Sequence, residues 1–284
     1  MSSSGLGFYS VFHPTDLSKA SEIAFVHALK LALVAKSKLD IFHVDRTDEV
    51  DWDQLPSVRE WLERWGVLRP GSDREDVNAL GLHVHKALVP GRDPLTASTE
   101  YLQVHRADVI VLAIHRHDGA LAWLNRSTGE PIASNAAWMS LLLPHGVQGF
   151  VCRDSGEVSL RRVLVPTGHK PKAQPSLDAV EALVKGLSVP KVELTLLYVG
   201  EDGDRPAVRV PQVEGLEVRE VTKEGSVPQA ILDASVEFQS DLIVMATDGP
   251  DGFLDGLRGS NTQRVLRMAT CPVAVVPERR QLRL

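Results

Sequence analysis

The stretch Asp241–Pro277, DLIVMATDGPDGFLDGLRGSNTQRVLRMATCPVAVVP, decides the fold. It begins with an apolar run of strand length, Leu242–Ala246, and ends with a second one, Val273–Val276. A glycine-bearing loop follows the first run. Ser260 then has a Gln three residues later, the spacing of a capping box, which predicts a helix that starts at Ser260. Strand, loop, helix and strand predict a parallel βαβ unit, and the N–H groups at such a helix N-terminus suit a phosphate.

An internal repeat extends this pattern to the whole chain. The matched pairs, in the same order in both halves, are Val11–Thr15 with Val163–Thr167, Leu39–Val44 with Leu194–Val199, Gly91–Pro94 with Gly225–Pro228, Ala107–Ala113 with Ser240–Ala246, and Gly119–Ser127 with Gly252–Ser260. The first helix of each half is expected at about 18–36 and about 174–186. Apolar runs are continuous, as in strands buried on both faces. We therefore expect an α/β fold of two doubly wound parallel-sheet repeats, residues 1–153 and 154–284.

Two segments break the symmetry of the repeat. An insert at about residues 46–80 holds Trp52, Trp61 and Trp65. These rings either serve packing, by closing over the sheet edge or packing into the neighbouring repeat, or form a lid or a partner surface. The connection Gly146–Leu160 predicts a strand, an Asp-Ser-Gly turn and a second strand rather than a flexible linker. We expect this connection to hold the two halves rigidly.

Charge and composition exclude several classes of function. The net charge is −6 and no basic block is present, so neither nucleic acid nor an anionic membrane surface is an expected partner. No apolar run approaches the ~18 residues of a membrane span. The first residues lack the basic and apolar regions of a secretory signal, and the two cysteines make no disulfide framework, so we expect a cytoplasmic protein.

The loop T-x-G-x-x-G-F-L-D-x-L-R-G-S, which starts at Thr247, and the following R-V-L-R-x-A-x-C-P-V resemble the universal stress protein family. The whole chain is similar to a tandem member, with two Rossmann-like repeats that face each other as an internal pseudo-dimer. This fold resembles that of the adenine-nucleotide hydrolases. Members that bind ATP carry G-x-x-G, nine residues, and then G-S or G-T. Here six residues separate Gly252 from Gly259.

The resemblance implies a stress-response sensor whose leading ligand is an adenine nucleotide, namely ATP, ADP or AMP with magnesium. Asp16 matches the acidic residue that contacts the ribose or adenine end, and Ser127 matches the serine of the phosphate-binding helix. Arg126 stands where the family has glycine, and Gly168 stands where repeat one has Asp16. The candidate nucleotide-binding residues are Pro14, Thr15, Asp16 and Ser127 in repeat one and Pro166, Thr167, Gly249, Gly252, Gly259, Ser260 and Asn261 in repeat two.

Three histidines are candidates for a metal site. In the expected topology, His13, His43 and His115 lie at one edge of the sheet, as zinc ligands would have to. Their spacing fits no local zinc motif. Strand histidines that bond to backbone carbonyls are the alternative interpretation.

No catalytic constellation can be read from the sequence. The G-x-S-x-G elbow and the Walker lysine motif are both absent, so we expect no enzyme, or at most weak ATP hydrolysis. The alternative function is a protein-interaction scaffold that binds no nucleotide and acts through the tryptophan-bearing insert. An enzyme of the adenine-nucleotide hydrolase type ranks third. A protein partner of unknown identity and a homodimer of the tandem chain are both compatible with the sequence.

Overall fold

The fold is one ten-stranded sheet with helices on both faces, in a computed structural model that describes residues 7–45, 50–91, 93–114, 139–247 and 260–278. The strands are β1 Ser10–Pro14, β2 Lys38–Asp45, β3 His83–Pro90, β4 Val109–Ile114, β5 Met139–Pro144, β6 Arg162–Thr167, β7 Val192–Val199, β8 Leu216–Lys223, β9 Leu242–Thr247 and β10 Val273–Pro277. The helices are α1 Lys19–Ala35, α2 Val58–Arg64, α3 Arg74–Ala79, α4 Pro94–Val104, α5 Gln174–Gly186, α6 Val227–Glu237 and α7 Ser260–Met268. Single-turn 3₁₀ helices span Trp52–Gln54 and Asp202–Asp204.

The strand order reveals the internal repeat. The order is β3-β2-β1-β4-β5-β10-β9-β6-β7-β8, and all neighbouring strands are parallel except β5 and β10. These two run antiparallel, with Leu142 opposite Val273 and Ser140 opposite Val275. The two halves have the same internal order and are therefore related by an approximate two-fold axis at this β5–β10 seam. The expected α/β fold of two parallel repeats in an internal pseudo-dimer is confirmed.

Apolar side chains fill the core on both faces of the sheet. In β2, Leu39 and Ile41 lie in the apolar cluster that α1 covers, whereas Phe42 and Val44 lie in the cluster on the opposite face. This is why the strand sequences are continuous apolar runs rather than alternating ones. None of the described helices is long and apolar enough to cross a membrane.

Helix boundaries follow local signals in the sequence. Ser18 is the N-cap of α1, where its hydroxyl accepts the Ser21 N–H, and Lys36 ends the helix in the left-handed conformation. Helix α5 occupies the range expected for it. Helix α7 begins at Ser260, as the capping-box spacing predicts.

Two of the three tryptophans of the insert are packing residues. Trp61 is 8% exposed, and its ring meets Phe25 of α1 edge-on at 6.1 Å. The Trp65 indole N–H donates to the Arg153 carbonyl at 2.8 Å. Trp52 is 54% exposed. The packing interpretation is therefore confirmed for Trp61 and Trp65. Of the three tryptophans, Trp52 is the one exposed enough to contribute to a partner surface.

The connection between the repeats contains less β-strand than the sequence predicts. Residues 153–155 form the turn, but the flanking segments meet through one antiparallel bridge, Val151 with Val158, instead of two full strands. The segment is held by His27 of α1, whose Nε2 accepts the N–H groups of Phe150 and Val151 at 3.0 and 3.1 Å. Gly149 precedes them with a φ of +72°, and a Cβ there would collide with the His27 ring. Only glycine fits this approach.

Candidate functional site

The carboxyl end of β1 lies where the strand order of repeat one reverses, between β2 and β4. Ligands of open parallel sheets bind at such a switch point. Pro14 ends the strand, and Thr15 and Asp16 follow directly. The Thr15 N–H donates to the Phe42 carbonyl at 2.8 Å, and its hydroxyl accepts the Leu17 N–H at 3.1 Å. Because Thr15 is also buried, the turn is fixed against β2.

The carboxylate of Asp16 is exposed at this switch point. Its Oδ1 accepts the Ser21 hydroxyl at 2.6 Å and the Ser18 N–H at 3.0 Å. Leu17, which follows, has a φ of +63°, a conformation that costs a non-glycine residue of order 1 kcal/mol. The tight turn and the first turn of α1 therefore hold a charged acceptor where sequence analysis expects a nucleotide contact.

His13 and His43 each bond to a backbone carbonyl. His13 Nδ1 donates to the Val111 carbonyl at 2.9 Å, and His43 Nδ1 donates to the Thr15 carbonyl at 2.8 Å. His13 is completely buried, and burial lowers its pKa to about 4, so its imidazole is neutral at pH 7. Its Nε2 has no hydrogen-bond partner among the described residues. Both rings thus join neighbouring strands near their carboxyl ends.

The proposed zinc site remains a prediction. Within the described ranges, no group of three or more His, Cys, Asp or Glu side chains is placed to hold a metal ion. The third candidate, His115, lies outside these ranges. His13 and His43 fit the alternative interpretation, in which strand histidines bond to backbone carbonyls.

Repeat two differs from repeat one at the equivalent switch point. Thr167 ends β6, and its hydroxyl donates to the Leu197 carbonyl at 3.1 Å, so this turn is also fixed to its neighbouring strand. Gly168 then replaces the carboxylate of Asp16. Repeat two therefore lacks the acceptor that the first repeat presents.

The crossover after β7 closes over this end of β6. Asp204 accepts the Tyr198 hydroxyl at 3.1 Å through Oδ2, and its carbonyl accepts His169 Nε2–H at 2.8 Å. Further along, the Gln174 side chain donates to the Arg209 carbonyl at 3.3 Å and accepts its N–H at 3.0 Å. The crossover is thus tied both to the turn after β6 and to the first turn of α5.

The glycine loops are not part of the described chain. Ser127, Gly249, Gly252 and Gly259 lie outside the described residues. In repeat two, Ser260 is the first residue of α7 and Asn261 is exposed on its first turn. The phosphate-binding part of either site therefore stays a prediction.

Sequence analysis did not find the contacts that distinguish the two repeats. The repeat alignment pairs His43 with Tyr198, and this change of residue was the one sequence signal that the contacts differ. In repeat one the imidazole bonds to the turn after β1, whereas in repeat two the phenol holds Asp204 instead. The role of Asp204 had no local signal, because it depends on where a long crossover returns.

Comparison with known proteins agrees with this architecture. The model of the universal stress protein family matches residues 10–144 and 205–277. Universal stress protein Sll1654 of Synechocystis sp. is 27% identical over 142 residues, which is 43% of this chain and 88% of that protein. The solved structure of a universal stress protein from Archaeoglobus fulgidus covers 96% of this chain and 98% of its own, with a TM-score of 0.59 and 20% identity.

The structural likeness, at this identity, establishes the fold alone. The family match goes further, because it covers more than half of the chain in two separate segments, one in each half of the sheet. The chain belongs to the universal stress protein family, as a tandem member with two repeats.

Proposed function

We propose that this chain is a stress-response ligand sensor that binds an adenine nucleotide at the carboxyl edge of repeat one. The observation that supports this most is Asp16, an exposed carboxylate held directly after β1 at the switch point. Ribose hydroxyls donate hydrogen bonds, and a charged acceptor makes such bonds stronger than a neutral one. The candidate ligands are ATP, ADP and AMP, with magnesium on the phosphate oxygens where a triphosphate is bound.

Repeat one is the better candidate of the two repeats. In repeat two, Gly168 supplies no carboxylate, and the bonds from His169 and Tyr198 to Asp204 bring the crossover over the end of β6. A ligand there would have to displace those bonds. Helix α7, with Ser260 as its first residue, remains the alternative position, because its N–H groups suit a phosphate.

The test is chemical denaturation of the purified protein with and without millimolar ATP, ADP or AMP and magnesium. A ligand at ~100 times its dissociation constant should add about 2.7 kcal/mol to the free energy of unfolding. We expect this gain to disappear in Asp16→Ala and to persist in Ser260→Ala, each compared with its own nucleotide-free curve. The reverse pattern would move the site to repeat two, and no gain with any nucleotide would reject the proposal.

A protein-interaction scaffold is the second candidate function. The observation in its favour is the 54% exposure of Trp52, an aromatic side chain of the insert. Exposed aromatic residues are enriched at interfaces. If no nucleotide alters stability, this function becomes the leading one.

A further inference from the structure

We propose that the cleft between the insert and edge strand β3 binds a small carboxylate with an apolar body. This insert cleft has a volume of about 390 Å³ and lies between the starts of α2 and α3 on one side and β3 on the other. Such a volume is at the lower end of the range for small-molecule sites. The occupant is therefore a small molecule, and the site is separate from the nucleotide edge.

The floor of the insert cleft is apolar. Val58 of α2 and Val77 of α3 are buried, and Val84 of β3 is half-buried; all three line the cleft. Removing an alkyl or aryl group from water onto this floor is favourable, by roughly 25 cal/mol per Å² of apolar area buried. The floor therefore selects for a ligand with an apolar body.

Two guanidinium groups line the same cleft. Arg59 and Arg74 are exposed, and within the described ranges neither guanidinium group makes a side-chain hydrogen bond or an ion pair. Arg64, on the same helix as Arg59, instead lies over the Trp61 ring at 4.3 Å. The cleft thus presents two positive charges whose forked donors match a carboxylate.

The other charged groups of the cleft already have partners. The Lys86 ammonium donates to the Leu55 carbonyl at 3.2 Å, while burial lowers its pKa and the nearby Asp53 and Glu60 act in the opposite direction. The Asp73 carboxylate accepts two N–H groups and caps α3. The opposite charges of Lys86 and Asp73 also offset each other, so the two arginines give the lining its net positive charge, which favours an anion.

The insert cleft is distinct from the switch point of repeat one. Its β3 residues Val84 and Lys86 pair with Leu39 and Ile41, in the first half of β2, whereas Thr15 lies beside Phe42. A nucleotide would also leave the apolar floor poorly matched, because its phosphates and ribose are polar. The two sites can therefore be tested independently.

Decanoate, below its micellar concentration, is the probe for calorimetric titration of the full chain. We expect saturable one-to-one binding, with 1-decanol at least about tenfold weaker because it has no charge for the arginines, and acetate undetectable because it has no apolar body. The variant Arg59→Gln/Arg74→Gln should weaken decanoate binding at least about tenfold. Arg64→Gln is the matched control, since its guanidinium lies outside the cleft, and it should bind like the parent protein.

Three outcomes would overturn the proposal. These are no saturable binding, equal binding of decanoate and decanol, or an unchanged affinity in Arg59→Gln/Arg74→Gln while the variant unfolds at the parent's denaturant midpoint. Loss of decanoate binding in Asp16→Ala would likewise overturn it, because the ligand would then occupy the nucleotide edge. Failure of nucleotide binding alone leaves this result unaffected.

Discussion

His27 is the residue whose environment has the clearest energetic consequence. Its Nδ1–H donates to the Ile23 carbonyl at 2.8 Å, so Nε2 carries the lone pair that accepts Phe150 and Val151. Protonation of Nε2 would replace that acceptor by a donor facing two N–H groups. Burial accordingly lowers its pKa from 6.5 to about 4.

This buried imidazole predicts a loss of stability in mild acid. Between pH 6.5 and 4 the unfolded chain binds a proton that folded His27 does not, so stability falls as the pH drops through this window. The loss is about 2 kcal/mol by pH 5 for His27, and a similar amount for His13, whose pKa is also about 4. Urea unfolding at pH 7.5, 6 and 5 measures it.

The variant His27→Gln separates this effect from other titrations. It is less stable than the parent protein at pH 7.5, because the paired N–H groups lose their acceptor. Its further loss between pH 7.5 and 5 should be smaller by about 2 kcal/mol. An equal loss in both proteins would contradict the assignment.

At the scale of elements, the insert is part of the fold of repeat one. Trp61→Ala should lower the free energy of unfolding by about 3–5 kcal/mol, because a nearly buried ring against Phe25 would be replaced by a cavity. Trp52→Ala is the matched control on the same insert and should change it by less than about 0.5 kcal/mol. The measurement compares the denaturant midpoints of the two variants, fitted with a common slope. Equal effects would mean that the insert does not pack as described.

The elements that sequence could predict are those encoded by neighbouring residues. The capping-box spacing at Ser260 and the apolar runs of β2 and β7 are local signals, and each predicted its element or its start to within two residues. The bond between His27 and Phe150 joins residues 123 positions apart, so no local pattern encodes it.

The candidate site also has a part that the sequence predicts and a part that it does not. Asp16 was predictable as the residue after a strand, whereas the closure by Asp204 depends on the path of a crossover.

At the scale of the whole molecule, the β5–β10 seam predicts one cooperative unfolding transition. Seam residues such as Leu142 and Val273 are completely buried, so neither half can unfold without exposing the core of the other. All five tryptophans lie in residues 1–153, and their fluorescence reports on repeat one alone. The urea midpoint measured by tryptophan fluorescence should equal the midpoint measured by far-UV circular dichroism, which reports on both repeats. A circular-dichroism curve with a second step that fluorescence lacks would contradict this.

The same seam also determines how the molecule responds to dilution. Two separate chains that met through such an antiparallel strand pair would come apart as their concentration fell. Here the partners are parts of one chain, so each meets the other at a fixed, high effective concentration. The assembly is therefore as complete in a cell that holds a few copies as in one that holds thousands, and its two halves are always present in equal number.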